Sequence, residues 1–269
     1  MIKGIVNKAF TIELFILANL SFLALDIFVA HSINAFAHNA EWIPFYFSIF
    51  SPILLSIELY QNWRGKTYTY KTIGLLIGTT SVIVGIAGLL WHLNSNFFGH
   101  QTIKSLVYTA PFVAPLSYTG LGLLIIMNRM VKPGTKEWNQ WLIFFFGLSG
   151  FFGNFILALS DHAQNGFFLF TEWIPVVSSA LAVGFLTTLL IQKYSSKYIK
   201  LCLSIMALQV CVGGLGFYYH SHSIMNGISE NFFENLIYTA PIFAPLLFIN
   251  LAILSGFGLL GLLITKEID

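Results

Sequence analysis

The sequence predicts an all-α integral membrane protein with eight transmembrane helices arranged as two parallel-related four-helix repeats. Composition is the first observation behind this. Of 269 residues, 57% are hydrophobic and 9% charged, whereas a soluble domain carries roughly 25% charged residues. So few charges cannot solvate a compact body of this size, which excludes water-soluble enzyme folds, disordered chains and nucleic-acid binders. The second observation is the set of charge-poor runs long enough to span a bilayer. The third is that the chain repeats itself. At about 20 residues per span, the length holds eight helices and no separate aqueous domain.

The runs read at about 9–30, 43–60, 72–93, 106–130, 139–160, 173–192, 199–219 and 236–264. Between them the basic residues alternate sides. Lys3 and Lys8, then Arg64, Lys66 and Lys71, then Arg129, Lys132 and Lys136, then Lys193, Lys197 and Lys200, and finally Lys266 all fall on the N-terminal face; Lys104 falls opposite. The positive-inside rule places both termini in the cytoplasm. The first run resembles a secretory signal, with Ala35-Phe36-Ala37 as an A-x-A site. A cleaved segment has no reason to be duplicated, however, and this one has a counterpart later in the chain.

That counterpart is exact in spacing. His31, Asn34 and Phe36, followed by Glu41-Trp42-Ile43-Pro44, match His162, Asn165 and Phe167, followed by Glu172-Trp173-Ile174-Pro175. Gly85, Gly88 and His92 match Gly213, Gly216 and His220. Tyr108-Thr-Ala-Pro111 and Pro115 match Tyr238-Thr-Ala-Pro241 and Pro245. The expected units are residues 1–133 and 134–269. Four spans is an even number, so both halves enter from the same side, related by a pseudo-two-fold axis along the membrane normal. Equivalent residues then lie at equal depth.

In each half the first histidine ends helix one, the glutamate opens helix two, the second histidine ends helix three and the tyrosine opens helix four. All seven histidines, including His38, His100 and His222, fall on the extracytoplasmic face, with Asp26, Asp161, Glu230 and Glu234. A purely structural role accounts for part of this. Glu-Trp-Ile-Pro is a good helix start, since the carboxylate complements the helix dipole, Trp suits the interface and Pro is tolerated in the first turn. Tyr-Thr-Ala-Pro likewise opens a helix, with the second proline kinking it. The glycines suit close helix packing. Four duplicated histidines with two duplicated glutamates point beyond structure.

Imidazole with carboxylate suits first-row transition metals, and two histidines with one carboxylate per half is the composition of a 2-His-1-carboxylate site. The candidate ligands are His31, Glu41 and His92 in one set and His162, Glu172 and His220 in the other. They form two mononuclear sites or, converging on the pseudo-axis, one dinuclear centre. Iron or copper is expected ahead of zinc, and missing thiolates argue against a structural zinc site or an iron–sulfur cluster. Haem b on His31 with His92 and His162 with His220 is the alternative cofactor, but it leaves both glutamates unexplained. Asp26, Asn34, Asp161 and Asn165 are placed to orient the ligands, and Tyr108 and Tyr238 to donate hydrogen bonds or protons.

The expected function is a membrane-bound oxidoreductase or other metal-dependent enzyme acting on a lipid, quinone or small molecule. Transition-metal transport or acquisition is the alternative, as is a scaffold role. A carrier lacks stepping stones across the bilayer, because only Glu13 and Glu58 lie in the inner halves of the spans. Cys202 and Cys211 sit nine residues apart on one predicted helix, about 13 Å at 1.5 Å per residue, which is too far for a disulfide.

Overall fold

Proline and glycine set where the helices break, and apolar runs set how long they last. The computed structural model describes residues 2–63, 67–192 and 195–265, and their side chains except at 2–7, 62–63 and 67–70. Arg64, Lys66, Lys193 and Lys266 lie outside the described residues, as does the side chain of Lys3. The described chain is helical, without strands. Its elements are α1 (Ile2–Ser32), α2 (Trp42–Trp63), α3 (Thr67–Asn94), α4 (Phe97–His100), α5 (Ile103–Val107), α6 (Leu116–Met130), α7 (Lys136–Gln140), α8 (Ser149–Gln164), α9 (Trp173–Ile191), α10 (Ser196–Met225), α11 (Phe232–Tyr238) and α12 (Leu246–Ile264). A π-helical stretch, Trp141–Leu148, joins α7 to α8, so Lys136–Gln164 runs as one span.

Seven described helices are long and apolar enough to cross a membrane. The run expected to span at 106–130 is interrupted instead. Residues 108–115 are non-helical, and α6 has 15 residues, about 22 Å at 1.5 Å per residue against a hydrocarbon core of about 30 Å. The cause lies in Ala110-Pro111 and Ala114-Pro115. Each proline lacks an N–H and disfavours helix at the residue before it, so two of them four residues apart break the helix rather than kink it. The second half behaves alike: α11 ends at Tyr238, and α12 starts at Leu246, after Pro241 and Pro245.

The chain forms two units. The first comprises Met1–Ile86, Ser117–Pro133 and His220–Ile242; the second comprises Ala87–Leu116, Gly134–Tyr219 and Phe243–Asp269. In the first, α1 and α2 pack as an antiparallel hairpin, with Ile12, Ile16 and Leu20 of α1 buried at four-residue spacing, one face of a helix. Leu55, Ile77, Leu124 and Ile125 are buried in the same unit, and α11 packs on α1.

The second unit is built around Phe151, Leu186, Leu189, Ile199, Cys202, Met206 and Leu259. Here α5 packs on α8, and Gln164 donates to the Val107 carbonyl at 2.8 Å. Glycine sets how closely its helices meet the proline turns. A Cβ at Gly88 would stand 2.7 Å from Pro115 Cβ, and one at Gly216 would stand 2.9 Å from Pro245 Cβ.

Candidate functional site

The duplicated motifs fold the same way twice. At the end of α1 the Phe36 N–H reaches back to the His31 carbonyl at 3.1 Å, and at the end of α8 the Phe167 N–H reaches the His162 carbonyl at 3.0 Å. Both phenylalanines take left-handed φ of 53°, a conformation costing an L-residue roughly 1–2 kcal/mol. Each ring then stacks on the tryptophan opening the next helix: Phe36 on Trp42 with centroids 4.2 Å apart, Phe167 on Trp173 at 3.9 Å. Aromatic contacts of this kind contribute about 0.5–1.5 kcal/mol beyond area burial. A 3₁₀ turn, Asn39–Glu41 or Phe170–Glu172, ends on the glutamate.

This hairpin brings the first histidine to the glutamate. His31 Nδ1 lies 3.7 Å from Glu41 Oε2, and His162 Nδ1 lies 3.9 Å from Glu172 Oε2. The side chains are largely buried, at 18% and 11% exposure in the first pair and 21% and 12% in the second. The other carboxylate oxygen is braced by an amide: Asn34 donates to Glu41 Oε1 at 2.8 Å, and Asn165 to Glu172 Oε1 at 3.2 Å. Glu41 Oε2 and Glu172 Oε2 are buried without a hydrogen-bond partner among the described residues. A buried acceptor left this way costs about 1–3 kcal/mol, and the fold accepts that cost at two matching positions.

The second histidine of each half is held differently. His92 donates from Nδ1 to the Pro111 carbonyl at 2.9 Å, and His220 to the Pro241 carbonyl at 2.7 Å. The proline turns that shorten the last helices are therefore what orient these rings, a use of Tyr-Thr-Ala-Pro that its spacing alone did not disclose. Thr109 donates to the His92 carbonyl at 2.6 Å, tying the turn to α3. Nδ1–H to a carbonyl fixes the tautomer and leaves Nε2 as the nitrogen with a lone pair.

Of the expected six-residue constellation, the two His–Glu pairs are thus brought together. Among the described residues no group of three or more His, Cys, Asp or Glu side chains is placed to hold a metal ion. Unit membership also differs from the sets read along the sequence: His220 belongs to the unit of His31 and Glu41, and His92 to that of His162 and Glu172. Asn34 and Asn165 touch the glutamates as expected. Tyr108 and Tyr238 are 55% and 64% exposed, Asp26 and Asp161 are half-buried, and His38, His100 and His222 are exposed.

One charged cluster was not anticipated. Arg129, read from sequence as a basic residue marking the N-terminal face at the end of the fourth run, is buried between Glu13 and Glu58. The signal available was two acids inside otherwise apolar runs, which in a membrane segment call for a partner. The chain matches no known family profile, no curated protein and no solved structure.

Proposed function

We propose that this chain is an integral membrane metalloprotein with two pseudo-equivalent transition-metal sites, one at each His–Glu pair. The supporting observation is the gap within the pairs. At 3.7 and 3.9 Å the nitrogen and oxygen are too far apart to hydrogen-bond. Two bonds of about 2.1 Å to one ion hold their ligand atoms about 3.4 Å apart at a tetrahedral angle and about 4.2 Å apart when opposed. The observed gaps fall between these limits, and a cation there also satisfies the orphaned carboxylate oxygen.

We assign the third ligand by unit: His220 to the site of His31 and Glu41, His92 to that of His162 and Glu172. The Nδ1–carbonyl bond each makes is the kind that orients a ligating imidazole. Nitrogen and oxygen donors without thiolate suit iron or copper, and we place the chemistry in oxidation of a lipid- or quinone-class substrate. The finer topology belongs to the same proposal: eight crossings with α6 as a short one, two parallel-related four-helix repeats, both termini cytoplasmic, and the metal sites facing the extracytoplasmic side.

Elemental analysis and an optical spectrum of the purified protein test the reading. Two equivalents of iron or copper per chain without a Soret band are expected. A Soret band would transfer the histidines to haem b, and metal-free protein from metal-replete cells would end the proposal. Replacing Asn34 or Asn165 by Ala removes the amide that fixes the carboxylate, and should weaken metal affinity at that site by roughly 10–100-fold in competition with a chelator. For orientation, Lys132→Cys in a background lacking Cys202 and Cys211 should resist an impermeant thiol reagent in intact cells and react once the membrane is opened. Labelling in intact cells would invert the topology.

A further inference from the structure

Lys104 is the exception to the charge pattern of this chain: every other lysine and arginine falls on the N-terminal face, and this one falls opposite. It sits on α5, between α3 and α6, and the counterpart of α5 in the second half is α11, between α10 and α12. Read back from Tyr108 and Tyr238, the register sets Ser105 on Asn235, the buried residue of each helix. It sets Ile103 on Phe233 and Lys104 on Glu234. Four residues before the lysine stands His100, and four before the glutamate stands Glu230. The same place thus carries a large apolar side chain in both halves, with the sign of the charge beside it reversed.

These side chains point outward. Ile103 is 84% exposed and Phe233 is 70% exposed, and Lys104, His100, Glu234 and Glu230 are exposed as well. Exposed apolar side chains rimmed by charge mark a contact surface. Both segments are also held in place. α5 packs on α8, and at its start the Thr102 hydroxyl accepts from the Ser105 N–H at 3.0 Å while the Ser105 hydroxyl accepts from the Thr102 N–H at 3.0 Å. α11 packs on α1, and its Asn235 donates to the Ser229 carbonyl at 2.8 Å and accepts from the Ser229 N–H at 3.1 Å. The Ser229 hydroxyl donates to Glu234 Oε2 at 2.6 Å and so orients the carboxylate. A surface already ordered loses little conformational freedom on binding.

We propose that α5 of one copy docks on α11 of a second copy, head to tail, with Ile103 against Phe233 and Lys104 against Glu230 and Glu234. A second copy is the occupant because both of the complementary surfaces belong to this one chain. Pairing like with like about a two-fold axis sets Lys104 against Lys104, or Glu234 against Glu234, and repulsion disfavours it. Orientation favours the head-to-tail contact too. α5 follows α3 and α11 follows α10, the third span of each half in the proposed topology, so the two surfaces lie on one side of the bilayer whichever way the chain is inserted. Each pair formed in this way leaves one α5 and one α11 free, so association continues past the dimer or closes a ring. The contact shares no residue with the metal sites and is independent of them.

The test is cross-linking of the full chain in phosphatidylcholine vesicles, in a background lacking Cys202 and Cys211. Chains with Ile103→Cys are reconstituted alone, chains with Phe233→Cys alone, and the two together. Under mild oxidant a disulfide between copies should form only in the mixture. Equal cross-linking within either single population would show like-with-like pairing and overturn the proposal, as would its absence from the mixture. Charge reversal is read by energy transfer between labelled copies. Lys104→Glu should weaken association roughly tenfold or more, and Glu230→Lys with Glu234→Lys should do the same. The two variants mixed should associate again, because each reversed surface then meets its opposite, and that recovery shows both to be folded. Association unchanged by either reversal, or not recovered in the mixture, would overturn the proposal. Wild-type chains that stay monomeric at every protein-to-lipid ratio would overturn it too and leave both surfaces to lipid.

Discussion

Replacing Arg129 by methionine is expected to destabilise the protein by about 3–5 kcal/mol. The cost is not the worth of two salt bridges. It is the penalty of taking the guanidinium away from Glu13 and Glu58, two carboxylates 6% and 0% exposed. Removing all three charges at once should therefore repair most of the damage. The triple change Glu13→Met, Glu58→Leu and Arg129→Met substitutes apolar side chains of similar volume and is expected to be neutral or stabilising by about 1–4 kcal/mol. The sequence supports that sign: in the register that aligns His31 with His162 and Tyr108 with Tyr238, Glu58 falls on Leu189 and Arg129 on Leu259, both core residues of the second unit. Equilibrium unfolding in detergent, comparing the single and triple variants, reads both effects. A neutral Arg129→Met, or a triple variant no better than the single, would mean that the cluster is hydrated.

Much of this organisation is legible in the sequence because the bilayer simplifies the problem: a spanning segment must be apolar, and its backbone must satisfy itself by being helical. The ends of α2 and α9 fall close to those of their charge-poor runs for that reason. The fourth run, 106–130, carries its long helix only from Leu116 across its C-terminal part: hydropathy registers Pro111 and Pro115 as neutral, whereas their missing N–H groups hold off the long helix until Leu116. The pairing of His31 with Glu41 and of His162 with Glu172 follows from a local hairpin, which is why its spacing betrays it. His92 and His220 are set by contacts across the proline turns, some twenty residues away, and no local pattern encodes their partners. Arg129 was hidden by the positive-inside rule itself, which counts a basic residue near a helix end as a topological marker and is blind to two acids on neighbouring helices.

The second large effect is on metal content, and its pattern identifies the ligand partners. Glu41→Ala or Glu172→Ala alone should halve the bound metal, and the two together should remove nearly all of it, since each carboxylate serves one site. His220→Ala and His92→Ala should each halve it as well. The informative variants combine one glutamate with one second histidine. If His220 completes the site of His31 and Glu41, Glu41→Ala with His220→Ala strikes the same site twice and leaves half the metal. Glu41→Ala with His92→Ala strikes both sites and leaves almost none. Residues sharing a site are non-additive in this way, and residues in separate sites are additive. Stability should follow occupancy, because an ion bound at one hundred times its dissociation constant contributes about 2.7 kcal/mol to the folded state. The reverse pattern, with Glu41 and His92 non-additive, would restore the sets read along the sequence. Full occupancy in the double glutamate variant, or its loss on replacing the exposed His100 or His222, would remove the His–Glu pairs from the metal chemistry altogether.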